Sequence, residues 1–222
     1  MQQHFILQME QSLKQPLLGF EAQLKMSHPF RKDYPIFSEN AKIAAVLILF
    51  YPKGQEWYIP LIQRQSNNPR DRHGGQISFP GGRLEGQDES LMHTALREAE
   101  EEIGVCKTDV CIIGKLSEIY IPVSNFLVHP FVGYLNYTPD FQLQISEVEG
   151  LVEANFHTFT CEENIKLTDM PFVKGTLENV PYFDVNGQVV WGATAMIMSE
   201  LLQLWNGSTG VSLEHSNWSK WN

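Results

Sequence analysis

From Lys42 to Phe50 the chain reads KIAAVLILF, apolar at every position but the first and without helical period or caps, which predicts a strand buried on both faces. A turn at Pro52 to Gly54 returns the chain as a second strand, Glu56 to Arg64, in which Pro60 implies an edge or a bulge because proline cannot donate to a ladder. Gln76 to Phe79 reads as a short strand closed by Pro80, Gly81 and Gly82. Downstream, VCIIGKLSEIYI and FLVHPFVGYL are strand-like runs joined by a loop from Pro122 to Asn125, and YFDVNGQVVWG is a hairpin turning at Asn186 and Gly187. Helical spacing appears in three places. Phe5, Ile6, Met9 and Leu13 share a face before Pro16 and Gly19 interrupt; Met92, Ala95, Ala99 and Ile103 form a stripe behind Asp88, a natural N-cap; and ATAMIMSELLQLWNG reads as a helix with Gly207 at its C-terminal cap. Strands and helices in this alternation predict an α/β or α+β fold, with an N-terminal helical extension over 1–34 packed on a main domain over 35–222.

The most informative stretch is Gly81 to Gly104, GGRLEGQDESLMHTALREAEEEIG. At 3.6 residues per turn Glu98 and Glu102 lie on one face and Glu101 sits beside Glu98. An acidic run on a helix is ordinarily a solvated face, and like charges at this spacing repel by a few tenths of a kcal/mol per pair. A divalent cation would turn that repulsion into binding energy. Hard carboxylate oxygens with no Cys or His among them suit Mg²⁺ or Mn²⁺, and Arg97, four residues before Glu101, can brace a ligating carboxylate.

Arg97, Glu98, apolar Ala99, then Glu101, Glu102, Gly104 and apolar Val105 make the pattern REUxEExGU, where U is apolar. This resembles the signature of the Nudix hydrolases, which cleave nucleoside diphosphates linked to another moiety. One feature departs from it. The signature has a glycine six residues before a Glu, whereas six beyond Gly82 stands Asp88, with Glu89 one later; the spacing from Glu89 to Arg97 is kept, so the loop reads as the part that has grown. The resemblance implies the Nudix fold, a mixed β-sheet sandwiched between α-helices, with the Glu98 helix bordering the cleft. It implies Mg²⁺ or Mn²⁺ held by Glu98, Glu101, Glu102 and the carbonyl of Gly82, with Arg97 supporting them. It further implies a ligand or general base from a later loop, for which SEVEGLVEANF offers Glu147 first and Glu149 second.

Ahead of the helix, RQSNNPRDRHGGQISFPGG gathers much of the positive charge. Arg64, Arg70, Arg72 and His73 are the cationic groups a polyphosphate enzyme needs for oxygens the metal leaves free. The run HGGQISFPGG resembles the coenzyme A pyrophosphatases within the superfamily, as do GFEAQLKMSHPFR, SNFLVHPFVG and WGATA, so the likeness spans most of the chain. Their fuller pattern wants a hydroxyl residue after the first arginine and an arginine near position 71; here stand Gln65 followed by Ser66, and Asp71 between two arginines. The branch implies substrate contacts at Gln76 and Phe79 and products 3′,5′-ADP and 4′-phosphopantetheine. Lys25 and Arg31 are further candidates for phosphates, and Phe126 and His129 for stacking, although alternate strand residues ordinarily pack. ADP-ribose or NADH is the alternative substrate, and a non-catalytic nucleotide sensor the alternative class.

Composition narrows the partners. A net charge of -10 over 222 residues argues against a general nucleic-acid surface, which needs clustered Lys and Arg. With 43% hydrophobic residues and a mean hydropathy of -0.21, the chain reads as an ordinary globular protein with no stretch as long as a membrane span. Cys106, Cys111 and Cys161 match no zinc or redox spacing and are expected as buried free thiols in a reducing cytoplasm. The expected partner is a small nucleotide, with no nucleic acid and no membrane, and a homodimer is allowed.

Overall fold

The computed structural model describes residues 2–66, 73–172 and 175–209. In chain order the elements are α1 (Gln2–Leu13), α2 (Gly19–Leu24), β1 (Lys42–Lys53), β2 (Glu56–Arg64), β3 (Ile77–Ser78), β4 (Gly81–Arg83), α3 (Leu91–Ile103), β5 (Cys111–Lys115), β6 (Ile119–Ile121), β7 (Phe126–Tyr134), β8 (Val148–Asn155), α4 (Phe156–Thr160), β9 (Ile165–Phe172), β10 (Gly175–Val185), β11 (Gln188–Val190) and α5 (Gly192–Thr209).

The long apolar strand β1 is the axis of a mixed sheet. It runs parallel to β7, and on its other side it pairs first with β4, at Ala44 to Val46, and then with β2, at Tyr51 to Lys53. Its side chains alternate between two cores. Ala44, Ile48 and Phe50 face α1 and α5, while Ala45, Leu47, Leu49 and Tyr51 face Ala95, Ala99 and Ile103 of α3. A strand buried on both faces needs no polar alternation, which is why the sequence shows none. β2 is an interior strand, with β8 along one side and β1 then β3 on the other. Pro60 falls in the interval after the Tyr51–Tyr58 pair and before the Ile62–Ser78 pair, where β2 has its partner in β8 at Glu153, so the missing donor breaks no rung with β1.

Several expectations are corrected. VCIIGKLSEIYI is two strands, β5 and β6, with a register shift between Ile112 and Gly114. A side chain at Gly114 would come within 2.9 Å of Leu13, so α1 rests directly on β5 at this point. The expected hairpin is the β10–β11 half of a three-stranded sheet that also includes β9. Its turn residues Asn186 and Gly187 both have positive φ, as a two-residue turn requires. Gly207 does not cap α5, which continues to Thr209. Cys106 and Cys111 are exposed and Cys161 is half-buried, all three as free thiols.

The N-terminal segment is tied to the body by a buried carboxylate. Glu200 of α5, fully buried, accepts from Gly19 N at 2.9 Å, Ser117 Oγ at 2.7 Å and Gln23 Nε2 at 3.0 Å. Arg31, considered above for phosphates, is also buried: it donates to the carbonyl of Tyr120 at 2.6 Å and lies 5.1 Å over the Phe20 ring. Among the described residues no helix is long and apolar enough to cross a membrane.

Candidate active site

Helix α3 begins at Ser90, whose Oγ accepts from His93 N at 3.1 Å, and ends at Gly104 with φ 71°. Ser90, not Asp88, is therefore the N-cap. Met92 is exposed, and the buried face of α3 is formed instead by Thr94, Ala95, Arg97, Glu98, Ala99, Glu102 and Ile103. Two of the three acids are therefore covered, Glu102 at 2% and Glu98 at 9% exposure, while Glu101 stands exposed.

Burying two carboxylates demands partners. Arg97, itself 7% exposed, is the partner of Glu98 and of two further acids. Its Nε and Nη2 donate to the two oxygens of Asp88 at 2.9 and 3.0 Å, Nη1 donates to Glu101 at 2.9 Å, and Nη2 also reaches Glu98 at 2.9 Å and the carbonyl of Arg83 at 3.2 Å. Asp88 accepts as well from Thr94 Oγ1 at 3.0 Å and Glu85 N at 3.0 Å. The two-point bond from Arg97 holds the Asp88 carboxyl well below the usual carboxylate range, and the same bond raises the guanidinium. Glu89 stands exposed one residue on. The glycine-to-acid spacing of the signature has therefore survived, with Asp in place of Glu, and the extra residue lies between that acid and Arg97. The readable signal was Asp88 standing six residues after Gly82.

Gly82 of β4 lies under Glu98. A Cβ there would fall within 2.5 Å of the Glu98 carboxyl, so the glycine leaves the space that this carboxylate fills. One residue earlier, Gly81 N donates to Glu102 Oε2 at 2.8 Å. Burial pushes the Glu98 carboxyl up against the opposing pull of Arg97, and pushes Glu102 up to about 8 against the Gly81 bond and Arg64.

From the other side β2 brings Arg64, whose Nη1 lies 4.0 Å from Glu102 Oε1. Its backbone carries the neighbouring candidates: Arg64 N donates to the Gln76 carbonyl at 3.0 Å, and Gln65 N to the Glu147 carbonyl at 2.8 Å. His73 Nδ1 is 3.1 Å from Gln76 Oε1. Glu147 is exposed at the head of β8, close enough that its charge raises both Glu98 and Glu102. Arg64, His73, Gln76, Glu147 and the α3 carboxylates therefore form one neighbourhood. Glu149 is bonded by Ser66 Oγ at 3.2 Å, and Glu153 by the Tyr51 hydroxyl at 2.6 Å and Lys53. Phe79, one residue past β3, is 2% exposed and packs with Ile77 in the core cluster that includes side chains of α1 and α5. Arg70 and Arg72 lie outside the described residues.

Carboxylates without sulfur or imidazole suit a hard divalent cation. Among the described residues no three acidic, His or Cys side chains converge as a ready metal cage, since Arg97 holds Glu98 and Glu101 while Gly81 holds Glu102.

Residues 41–174 match the NUDIX domain family. The chain is 34% identical to the uncharacterized Nudix hydrolase NudL of Yersinia enterocolitica over 171 residues, covering 75% of this chain and 83% of that protein. It is 32% identical to NudL of Yersinia pestis over 193 residues, covering 87% and 94%. Among solved structures, a Nudix hydrolase from M. smegmatis, RenU, aligns over 82% of this chain and 98% of its own with a TM-score of 0.50 at 15% identity, a likeness of fold alone.

Proposed function

Since the chain belongs to the Nudix hydrolase family, we propose that it hydrolyses the diphosphate bond of coenzyme A or an acyl-coenzyme A, with Mg²⁺ or Mn²⁺ as cofactor, to 3′,5′-ADP and the (acyl-)4′-phosphopantetheine. The observation that carries this reading is the meeting of Arg64 with Glu102, which sets the start of the basic stretch RQSNNPRDRHGGQ against the acid face of α3.

The residues that would hold the cation are Glu98, Glu101 and Glu102 with the carbonyl of Gly82. The donor chemistry fits, and the space kept open by Gly82 is filled by one of those carboxylates. When bound, the cation supplies Lewis-acid polarisation of the diphosphate and a water of lowered pKa. The chain's own groups do the rest. Arg97, anchored by Asp88, orients Glu98 and Glu101. Arg64 offers a guanidinium to phosphate oxygens, and Glu147, exposed at the rim, accepts the proton of the attacking water. Arg70, Arg72 and His73 are assigned to the 3′-phosphate, the group that coenzyme A has and ADP-ribose and NADH lack.

The test is a hydrolysis screen of coenzyme A, dephospho-coenzyme A, ADP-ribose and NADH with Mg²⁺ and Mn²⁺. Coenzyme A should be preferred over its dephospho form by roughly tenfold to a hundredfold in kcat/KM, the worth of a charge-assisted contact. Arg70→Ala with Arg72→Ala should erase that preference. A wild-type preference for ADP-ribose would overturn the coenzyme A reading.

A further inference from the structure

Away from α3, the single turn of α4 carries a second arrangement of reactive groups. Asn155 caps it by accepting from His157 N at 2.9 Å, and Cys161 closes it, which sets His157 and Cys161 four residues apart on one face. Asn164 pins the exit of the turn, its Nδ2 donating to the Thr158 carbonyl at 2.8 Å and its N to the Cys161 carbonyl at 3.1 Å. Thr160 lies against the imidazole. Its hydroxyl has one proton, which it donates to the His157 carbonyl at 2.9 Å, while the same oxygen lies 2.9 Å from His157 Nδ1. In that arrangement Nδ1 carries the ring proton and donates to Thr160. That leaves Nε2 as an acceptor, 3.6 Å from the Cys161 sulfur. A nucleophile, a base in reach of its proton and a third group fixing the base's tautomer are the three parts of an activated thiol.

Among the described residues neither of the other cysteines shows this arrangement around its sulfur. Cys106 lies 3.1 Å from the Thr108 hydroxyl and Cys111 beside the Tyr134 phenol, groups that do not accept a thiol proton at neutral pH. Both are nevertheless more exposed than Cys161.

We infer that Cys161 is a thiol-modification site served by His157, taking low-molecular-weight disulfides of the glutathione class. His157 Nε2 accepts the thiol proton, the Cys161 sulfur attacks one sulfur of the disulfide, the S–S bond breaks, and the departing thiolate takes the proton back from the imidazolium. Cys161 is oxidised to a mixed disulfide and the reagent is reduced to one thiol. The site is separate from the acid face of α3, on a turn packed against β2, β8, β10 and α5.

The experiment compares three single-cysteine proteins, each with the other two cysteines changed to Ser, reacting with oxidised glutathione at pH 7 and followed by intact mass. The protein retaining Cys161 should react about tenfold faster than the other two despite its lower exposure, because an unassisted thiol is only a few per cent thiolate at that pH. His157→Asn in that protein should bring its rate down to theirs, Thr160→Val should lower it part of the way, and denaturing urea should make all three alike. Equal rates in the folded proteins, an unchanged rate after His157→Asn, or an advantage that survives in urea overturns the inference. Should His157→Asn fail to fold, the folded and urea comparisons of the three proteins decide it without that variant.

Discussion

At the scale of single residues, the acid that anchors Arg97 is the sharpest result. Sequence spacing offered two readings, Glu89 at the signature's distance from Arg97 and Asp88 at the signature's distance from Gly82, and helix caps drew Asp88 to the wrong task. A one-dimensional pattern cannot tell a cap from an ion-pair partner, since both are short acids just before a helix; Ser90 is equally good as a cap and lies two residues nearer its target. Asp88→Asn should lower kcat/KM by roughly tenfold to a hundredfold, the value of a charge-assisted two-point bond, whereas Glu89→Gln should stay near wild type. Steady-state kinetics of the two variants side by side checks this. A larger loss from Glu89→Gln would return the role to that residue. Phe79 shows the converse limit: a motif carries a residue's identity, but its burial at 2% exposure is legible only in the fold.

At the scale of elements, β1, β2, α3 and α5 were legible because each has a strong periodic or continuous apolar signal. Strands β9 and β10 are long but pair mainly with each other, and their polar, partly exposed positions carry little pattern. The face of α3 was legible in composition yet not in burial. Charge suggests solvent, while the structure covers Glu98 and Glu102 with β4 and holds them with Arg97 and Gly81. A pH dependence follows. With Glu102 pushed up to about 8 and an unfolded carboxyl near about 4.3, both states are protonated at low pH; as pH rises between the two values the unfolded chain loses the proton first. Stability contributed by the neutral group is therefore present at low pH and is lost as pH rises towards 8, at up to about 1.4 kcal/mol per pH unit. Asp88 has the opposite sign but acts only below its ordinary range, as acid protonates it. In chelator, the Tm of the wild-type protein should fall from pH 5 to pH 8 relative to that of Glu102→Gln. Parallel profiles for the two proteins would contradict the burial of a neutral Glu102.

At the scale of the whole molecule, the N-terminal segment is joined to the fold by a polar contact that the sequence hides. Glu200 reads as one charge in an apolar helix, and its partners Gly19, Gln23 and Ser117 are distant in the chain. Glu200→Ala would remove the acceptor of the buried Gln23 amide and of the half-buried Gly19 N–H and Ser117 hydroxyl, and since an unpaired buried donor costs about 1–3 kcal/mol the variant should lose at least that order of stability in denaturant unfolding. Wild-type stability in that variant would show that α2 is held by its apolar contacts alone. The fold as assembled places the acid face of α3 between β4 and the basic entry from β2, and on this the proposed chemistry rests. Its most direct test is the initial rate of coenzyme A hydrolysis against Mg²⁺ concentration for wild type and Glu98→Gln. Loss of at least about a hundredfold in the variant at subsaturating Mg²⁺, with the fold intact by circular dichroism, is the result predicted for a buried ligand carboxylate. Equal rates in the two proteins across the titration would contradict a metal-binding role for this face of α3.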